Sequence, residues 1–467
     1  MKKLFLLSFV LLSLFCTTPK KQIKSDLVEQ WRGVYLKNQK IGYSFSQIQI
    51  IQNYYKITHR FKIKLAMMDN FEEIISNFSG VTDTIFALRR FDFSFSSKKN
   101  SFFASGEIKQ NQFIIEVNSG GSVKNVSYDV QGPIYPVTIL GELAIKKQFI
   151  PGREYTAKVF DATVLSIVDT KIKVFDKEKI VIGEKSYNLM KMTISMLGLT
   201  TTMWVDNNGI SRKEESPPGM TIIEESREQA LVQEEAMGKL DILSIFSIPI
   251  DTVIVNTRTA KYLKVYITGS DFSGLNITDN YQTILQINPL TLEIKMPDSL
   301  PQINLPISGG EEYLNSTLCI QSDNAEIMKT ASRIIGQEKD GAKIVQKIMN
   351  WVFTNINKRA TASLPSALDV LKNREGDCNE HAVLFVALSR AAKIPCQICV
   401  GLVYVDGRFY YHAWNKVFLG IWIPVDPTFG QFPVDATHIK FAEGELEEQA
   451  KILKIVGEIK IKVLEFR

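Results

Sequence analysis

The stretch Gly376-Asp377-Cys378-Asn379-Glu380-His381-Ala382-Val383-Leu384-Phe385 puts a turn-making glycine just ahead of a cysteine and opens a helix at Gly376-Asp377-Cys378. Ala382, Phe385, Leu388 and Ser389 give the helix an inward face, and Pro395 stops it. A cysteine in the first turn lies at the positive end of the helix dipole, so the expectation is a lowered thiol pKa and a nucleophilic thiolate. Its backbone N–H points outward and can meet an oxyanion. Upstream, Ser322 or Asp323 is expected to cap a helix carrying Ile327, Ala331, Ile334 and Ile335. Asp340 precedes a second helix, with Ile344, Ile348, Trp351 and Val352 on one side. Ser366 caps a third, ending near Leu371. Downstream, residues 397–405, 409–417 and 422–425 read as strands. Helices followed by antiparallel strands predict an α+β fold.

A thiolate nucleophile needs a base and an acceptor that orients the base. His412 lies on a predicted strand 34 positions after Cys378, and Asp426 ends the next strand 14 positions later. The turn around Leu419-Gly420 can bring the imidazole beside the carboxylate. His381 is a rival base, but side chains on a helix lean toward its N-terminus, so it is expected to pack beneath the nucleophile. Trp414 shares a strand face with His412 and either walls the pocket or belongs to the core. His59 and His438 are read as surface or loop residues. Cys396-Gln397-Ile398-Cys399 enters a strand, where the two thiols face opposite sides, so redox activity is discounted. No Cys/His set has zinc spacing, and no metal is expected.

Three blocks, Gly376 to Phe385 with Arg390 to Pro395, Tyr411-His412-Ala413-Trp414, and Val425-Asp426-Pro427-Thr428-Phe429-Gly430, closely resemble the core of bacterial transglutaminase-like proteins. The resemblance covers about residues 310–440. It implies a papain-like α+β core, with Cys378 as nucleophile, His412 as general base and acid, and Asp426 as the orienting carboxylate. It implies acyl transfer through a thioester, with no metal or organic cofactor. Animal cross-linking transglutaminases carry Trp directly after the cysteine, whereas this chain has Asn379. It therefore looks more like the microbial branch described as cysteine proteases, and hydrolysis is favoured over cross-linking.

The remaining sequence frames that core. Residues 28–225 are dominated by alternation, as in Phe91, Phe93 and Phe95 against Asp92, Ser94 and Ser96, with Gly106, Gly120-Gly121 and Asn208-Gly209 as hairpin turns. They read as a large antiparallel sheet or curved half-barrel with aromatic residues in its core. Residues 226–308 read as a small β unit, including a short helix within Glu224–Met237 and alternation over Val253–Ile267 and Leu285–Met296. Residues 309–440 are the catalytic core, and 441–467 a helix or strand tail.

At the N-terminus, Lys2 and Lys3 precede an apolar run from Leu4 to Phe15 and then Cys16, so residues 1–16 read as an export signal. Cys16 is a lipidation candidate, although Phe15 is bulky for a lipoprotein signal. The expected location is the periplasm or outer envelope, with membrane contact only through that anchor. Lys plus Arg number 55 against 50 Asp plus Glu, too small an excess to argue for a nucleic-acid partner. Five cysteines exclude a disulfide scaffold. The expected function is therefore an exported cysteine-dependent amide hydrolase or acyl transferase acting on peptides or proteins. The alternative is a non-catalytic envelope scaffold that keeps the fold.

Overall fold

The computed structural model describes residues 27–67, 70–98, 100–232, 241–360, 364 and 366–467. The expected export signal and Cys16 lie outside the described residues. The first fifteen strands, from Leu27 to Glu224, form one sheet. The first eight run outward as a meander. The chain then crosses to the far edge at Ile134–Pro136 and returns strand by strand, until Met220–Glu224 pairs with the first strand, Leu27–Leu36. Every pairing is antiparallel except that of Ile134–Pro136 with Glu154–Asp161. Phe113 and Phe160 come from opposite wings of this sheet, yet their rings lie 4.8 Å apart in a shared core with Phe91. The sheet is therefore curled around its aromatic face.

Gly106 is not a turn residue. It lies inside the strand Asn100–Lys109, where a Cβ would come within 2.7 Å of the Phe91 ring. The glycine is there for close approach of an aromatic ring rather than for chain reversal. Gly120-Gly121 and Asn208-Gly209 do sit between strands, all with positive φ except Asn208.

Beyond this sheet, a helix covers only Arg227–Leu231 of the expected Glu224–Met237, since Glu224 ends a strand, Ser226 is the cap and Val232 is extended; residues 233–237 lie outside the described residues. Strand structure begins at Tyr262 rather than Val253, because Asn256 takes a left-handed turn (φ 50°) into a 3-10 turn at Thr257–Thr259. Tyr262–Thr268, Gln282–Gln286 and Leu290–Lys295 form a four-stranded sheet with the C-terminal strand Lys460–Phe466.

Four helices follow: α1 (Ala325–Ile335), α2 (Gly341–Asn355), α3 (Ala367–Asn373) and α4 (Cys378–Ala391). Asp340 caps α2, and Ser366 caps α3 as expected. The cap of α1 is Asn324, not Ser322 or Asp323. The Asp323 carboxylate is taken up by Lys124, 2.9 Å away on the large sheet, and by Ser316. Helix α4 is central. Every residue from Glu380 to Arg390 is buried, with α1, α2 and α3 around it and a second sheet against it.

That sheet comprises β1 (Cys396–Val405), β2 (Arg408–Phe418), β3 (Trp422–Val425) and β4 (Ile439–Glu443), with the two-residue strand Ile248–Pro249 paired antiparallel to the start of β2. β1 pairs with β2 and β4, and β3 with β2, all antiparallel. Both faces of it are covered. Cys396, Ile398, Val400 and Ala413 pack with the helices, whereas Cys399, Leu402 and Trp414 pack with the four-stranded sheet. A strand covered on both sides reads as continuous apolar sequence, as Cys396–Val405 does. The whole is an α+β molecule: a β-rich N-terminal region, then a helical and sheet core.

Candidate active site

Cys378 is the first residue of α4, and Asp377 is its cap. The Asp377 carboxylate accepts from the Asn379 N–H (2.8 Å), while Glu380 returns a bond to the Asp377 N–H (2.9 Å). Gly376 makes this closure possible, since a Cβ there would lie 2.2 Å from the Glu380 Cβ. Asn415 holds α4 to β2: its side-chain amide donates to the Ala382 carbonyl (3.1 Å) and the Gln397 carbonyl (3.4 Å). This brings the Cys378 thiol to the backbone N–H of Ala413, the residue after His412. Cys378 is free, and the residue is partly covered.

His412 and Asp426 meet as expected. The His412 Nε2 lies 2.8 Å from the Asp426 Oδ2, in a buried pair. The other carboxylate oxygen accepts from the backbone N–H of Thr428 (2.7 Å) and Phe429 (3.1 Å), so the turn after β3 fixes the carboxylate. Burial alone would push the Asp426 carboxyl up, but His412 and His438 outweigh it and hold the group well below the ordinary carboxylate range. Phe429 packs on the His412 ring at 5.2 Å between centroids, and Trp414 flanks it at 6.1 Å. Trp414 is buried in the core and also touches the histidine cluster, so both readings of it apply at once.

The thiol departs from expectation. Burial, and then the neighbouring Asp377, push Cys378 well above the ordinary thiol value, with the Ala413 N–H opposing them. Asp377 is itself pushed well up by burial and by Glu380. The direction is opposite to the one expected from the helix start alone. The structure couples His412 directly to Asp426 and brings Cys378 to the same strand through Ala413. Among the described residues it shows no hydrogen bond from the thiol to the His412 ring.

His381 lies one turn into α4, fully buried. Its Nδ1 is 2.6 Å from the Asp377 carbonyl, and its Nε2 has no hydrogen-bond partner. Burial lowers its pKa. It is thus tied to the backbone of the residue that caps α4. Cys396 and Cys399 are buried on opposite faces of β1, unpaired, and burial raises both thiols.

Two histidines correct their sequence reading. His59 lies within the strand Tyr54–Met67, 2.9 Å from the Ser44 Oγ, and burial and Arg32 lower it to about 3. His438 is not a surface residue. It is 3% exposed, and its Nε2 lies 3.1 Å from the same Asp426 oxygen that His412 uses. The missed signal was Asp435 at i−3 of His438, which the loop Gly430–His438 folds back to Asp426. His412, Asp426 and His438 place one donor atom each within 4.8 Å of one another, a spacing that a metal ion could also use. Both histidines lie at hydrogen-bond distance from the Asp426 Oδ2.

Residues 328–427 match the model of the transglutaminase-like superfamily, and the C-terminal part of this chain carries a transglutaminase-like domain. Among solved structures, the chain is similar to a protein of Cytophaga hutchinsonii provisionally named a cysteine protease. That likeness has 19% identity over 44% of this chain and 86% of the other, with a TM-score of 0.29. It is also similar to a β-barrel-like protein from Brucella abortus, with 12% identity over 42% and 94% of the two chains and a TM-score of 0.34. A third is the periplasmic domain of TgpA from Pseudomonas aeruginosa bound to ethylmercury, with 13% identity over 41% and 94% and a TM-score of 0.28. No curated protein matches. No helix among the described residues is long and apolar enough to cross a membrane.

Proposed function

We propose that this chain is a cysteine-dependent amide hydrolase or acyl transferase acting on peptides or proteins, with Cys378, His412 and Asp426 as its reacting set. The observation that carries this reading is the buried His412–Asp426 hydrogen bond on a strand packed against the helix that Cys378 begins. With Nε2 given to Asp426, His412 has Nδ1 left to take the thiol proton. The sulfur then attacks an amide carbonyl. His412 returns the proton to the leaving amine, and a thioester remains for water or a second amine to open. The backbone N–H of Cys378, one of the unpaired N–H groups of the helix start, faces the oxyanion. Because the resting thiol is raised, proton transfer to His412 is what generates the nucleophile. The basic and apolar N-terminal segment supports export to the cell envelope.

The rival reading, a scaffold without turnover, draws its support from that raised thiol. The separating experiment labels the folded protein with iodoacetamide across pH and maps the sites by mass spectrometry, beside Cys378→Ala and His412→Ala. Cys378 is expected to label far faster than Cys319, Cys396 and Cys399, and to slow in His412→Ala. Equal, slow labelling of all four would favour the scaffold.

A further inference from the structure

The run of paired groups continues past Asp426. His438 faces an acceptor at each ring nitrogen. Its Nε2 lies 3.1 Å from the Asp426 Oδ2, and its Nδ1 lies 3.2 Å from the Asp435 carbonyl and 3.5 Å from the Asp435 Oδ1. A neutral imidazole donates from one nitrogen only, whereas the imidazolium donates from both. On its far side, the Asp435 carboxylate is met by the Arg258 guanidinium at 2.7 Å. The same guanidinium lies 4.4 Å over the Phe429 ring that packs on His412. Basic side chains and buried carboxylates therefore alternate, Arg258, Asp435, His438, Asp426, and end at His412.

We propose that His438 is a positioning residue: held as an imidazolium between Asp435 and Asp426, it fixes the Asp426 carboxylate on His412 and takes up part of its charge. This rests on the reading of Cys378, His412 and Asp426 as the reacting set. The consequence is for the base. Beside an unshared buried carboxylate, a protonated His412 would be held strongly. Beside a carboxylate already paired with a cation, it is held less. It can then accept the thiol proton and still release it to a leaving amine.

The surroundings agree. Burial works against a charge on His438, but Asp435 and Asp426 outweigh it and raise the ring to about 9. Behind His438 a small cavity is bounded by Asp279, Tyr281, Cys399, Lys416 and Lys440. Lys440 pairs with Asp279 (3.3 Å) and Glu443 (3.1 Å), and Lys416 with Glu443. Burial raises Tyr281 and Cys399 to about 12. On the other side, α4 contributes Cys378, raised by burial, and His381, lowered by burial. The His438 and His412 rings share the Asp426 carboxylate and lie 5.9 Å apart between centroids, with Trp414 and Phe429 against both.

With four histidines in the chain, two-bond proton–nitrogen spectra can follow each ring, assigned by single variants. In the wild type, His438 is expected to show both nitrogens protonated from pH 5 to 8. In His438→Gln, the side-chain amide can still donate to Asp426 but carries no charge. The His412 midpoint is then expected to rise by roughly one pH unit, and the pH profile of Cys378 alkylation to move with it. Asp435→Asn is expected to bring the His438 midpoint down. A neutral single tautomer at His438 near pH 7, or an unmoved His412 midpoint in folded His438→Gln, would overturn the proposal. If that variant does not fold, the wild-type spectrum of His438 decides alone. Labelling that depends on His412 but not on His438 would sink the brace and leave the reacting set standing. Labelling indifferent to His412→Ala would instead sink the reading beneath it.

Discussion

Cys378 and His412 stand on adjoining elements but in opposite electrical surroundings. The thiol has burial, Asp377, Glu380 and Asp426 against its charged form, and one backbone N–H in favour. The imidazole ends a run in which each charge is answered by the next. A helix N-terminus offers roughly half a positive charge. Here desolvation, and then the carboxylate that caps the same helix, push the thiol up. The nucleophile end is built for position and the base end for charge, so proton transfer to His412 supplies what the helix does not.

The most damaging break in this division is Asp426→Asn. It leaves His412 without an oriented acceptor and His438 with a buried, uncompensated charge. Turnover of a peptide amide is expected to fall by about 10³-fold to 10⁴-fold, as when the orienting carboxylate of a triad is neutralised. Stability is expected to fall by about 3 kcal/mol, the usual cost of breaking a buried ion pair from one side. Chemical denaturation and amide turnover would measure the two. A loss of stability with turnover intact would remove Asp426 from the reacting set.

The base end also predicts a pH signature. His438 is raised from 6.5 to about 9, so its contribution is complete below pH 6.5 and disappears as pH rises through 9. The shift corresponds to roughly 3 kcal/mol. Asp426 has the opposite sign. Its folded value is depressed, so its contribution is present above its ordinary value of 3.8 and is lost as pH falls toward the folded value. Denaturation midpoints should therefore decline from pH 6.5 to 9 in the wild type, and much less in His438→Gln. Parallel declines in both proteins would detach the effect from His438.

At the nucleophile end the sharper test is geometric. Gly376→Ala would set a methyl against the Glu380 Cβ, at 2.2 Å before relaxation, and loosen the closure that holds Cys378 at the helix start. A destabilisation of about 1–3 kcal/mol is expected, typical of overpacking. The His412 midpoint should stay in place. If it moves, the two ends are less separate than their hydrogen bonds indicate.

Much of this core was legible because local rules and tertiary packing agree there. Ser366 caps a helix as its sequence context predicts, helices begin directly after Asp340 and Asp377, and β3 runs over Trp422–Val425 as read. The departures come from contacts distant in sequence. Asp323 loses its capping role to Lys124, nearly 200 positions earlier. Gly106 serves the Phe91 ring on a neighbouring strand. His438 is the instructive miss. It stands in a loop-like stretch with no strand or helix pattern, and its partner Asp426 lies 12 positions back, across a turn whose path only the folded chain reveals. The thiol misled for another reason. The dipole argument is local, whereas burial and Asp377, which come from the folded surroundings, push the thiol up.

The finest distinction concerns Asp377. Its carboxylate caps α4 and also opposes the thiolate, and the two roles separate in Asp377→Asn. Asparagine caps about as well as aspartate, so stability should change by under about 0.5 kcal/mol. Removing a negative charge beside the sulfur should raise the rate of Cys378 alkylation at pH 7 by roughly two- to threefold. The competing outcome is equally informative. Burial and Glu380 push Asp377 well up, so it can hold a proton in the resting site. In that state it exerts no charge on the thiol, and the asparagine variant would label at the wild-type rate. Burial alone would then account for the raised thiol, and His412 would remain as the group that overcomes it.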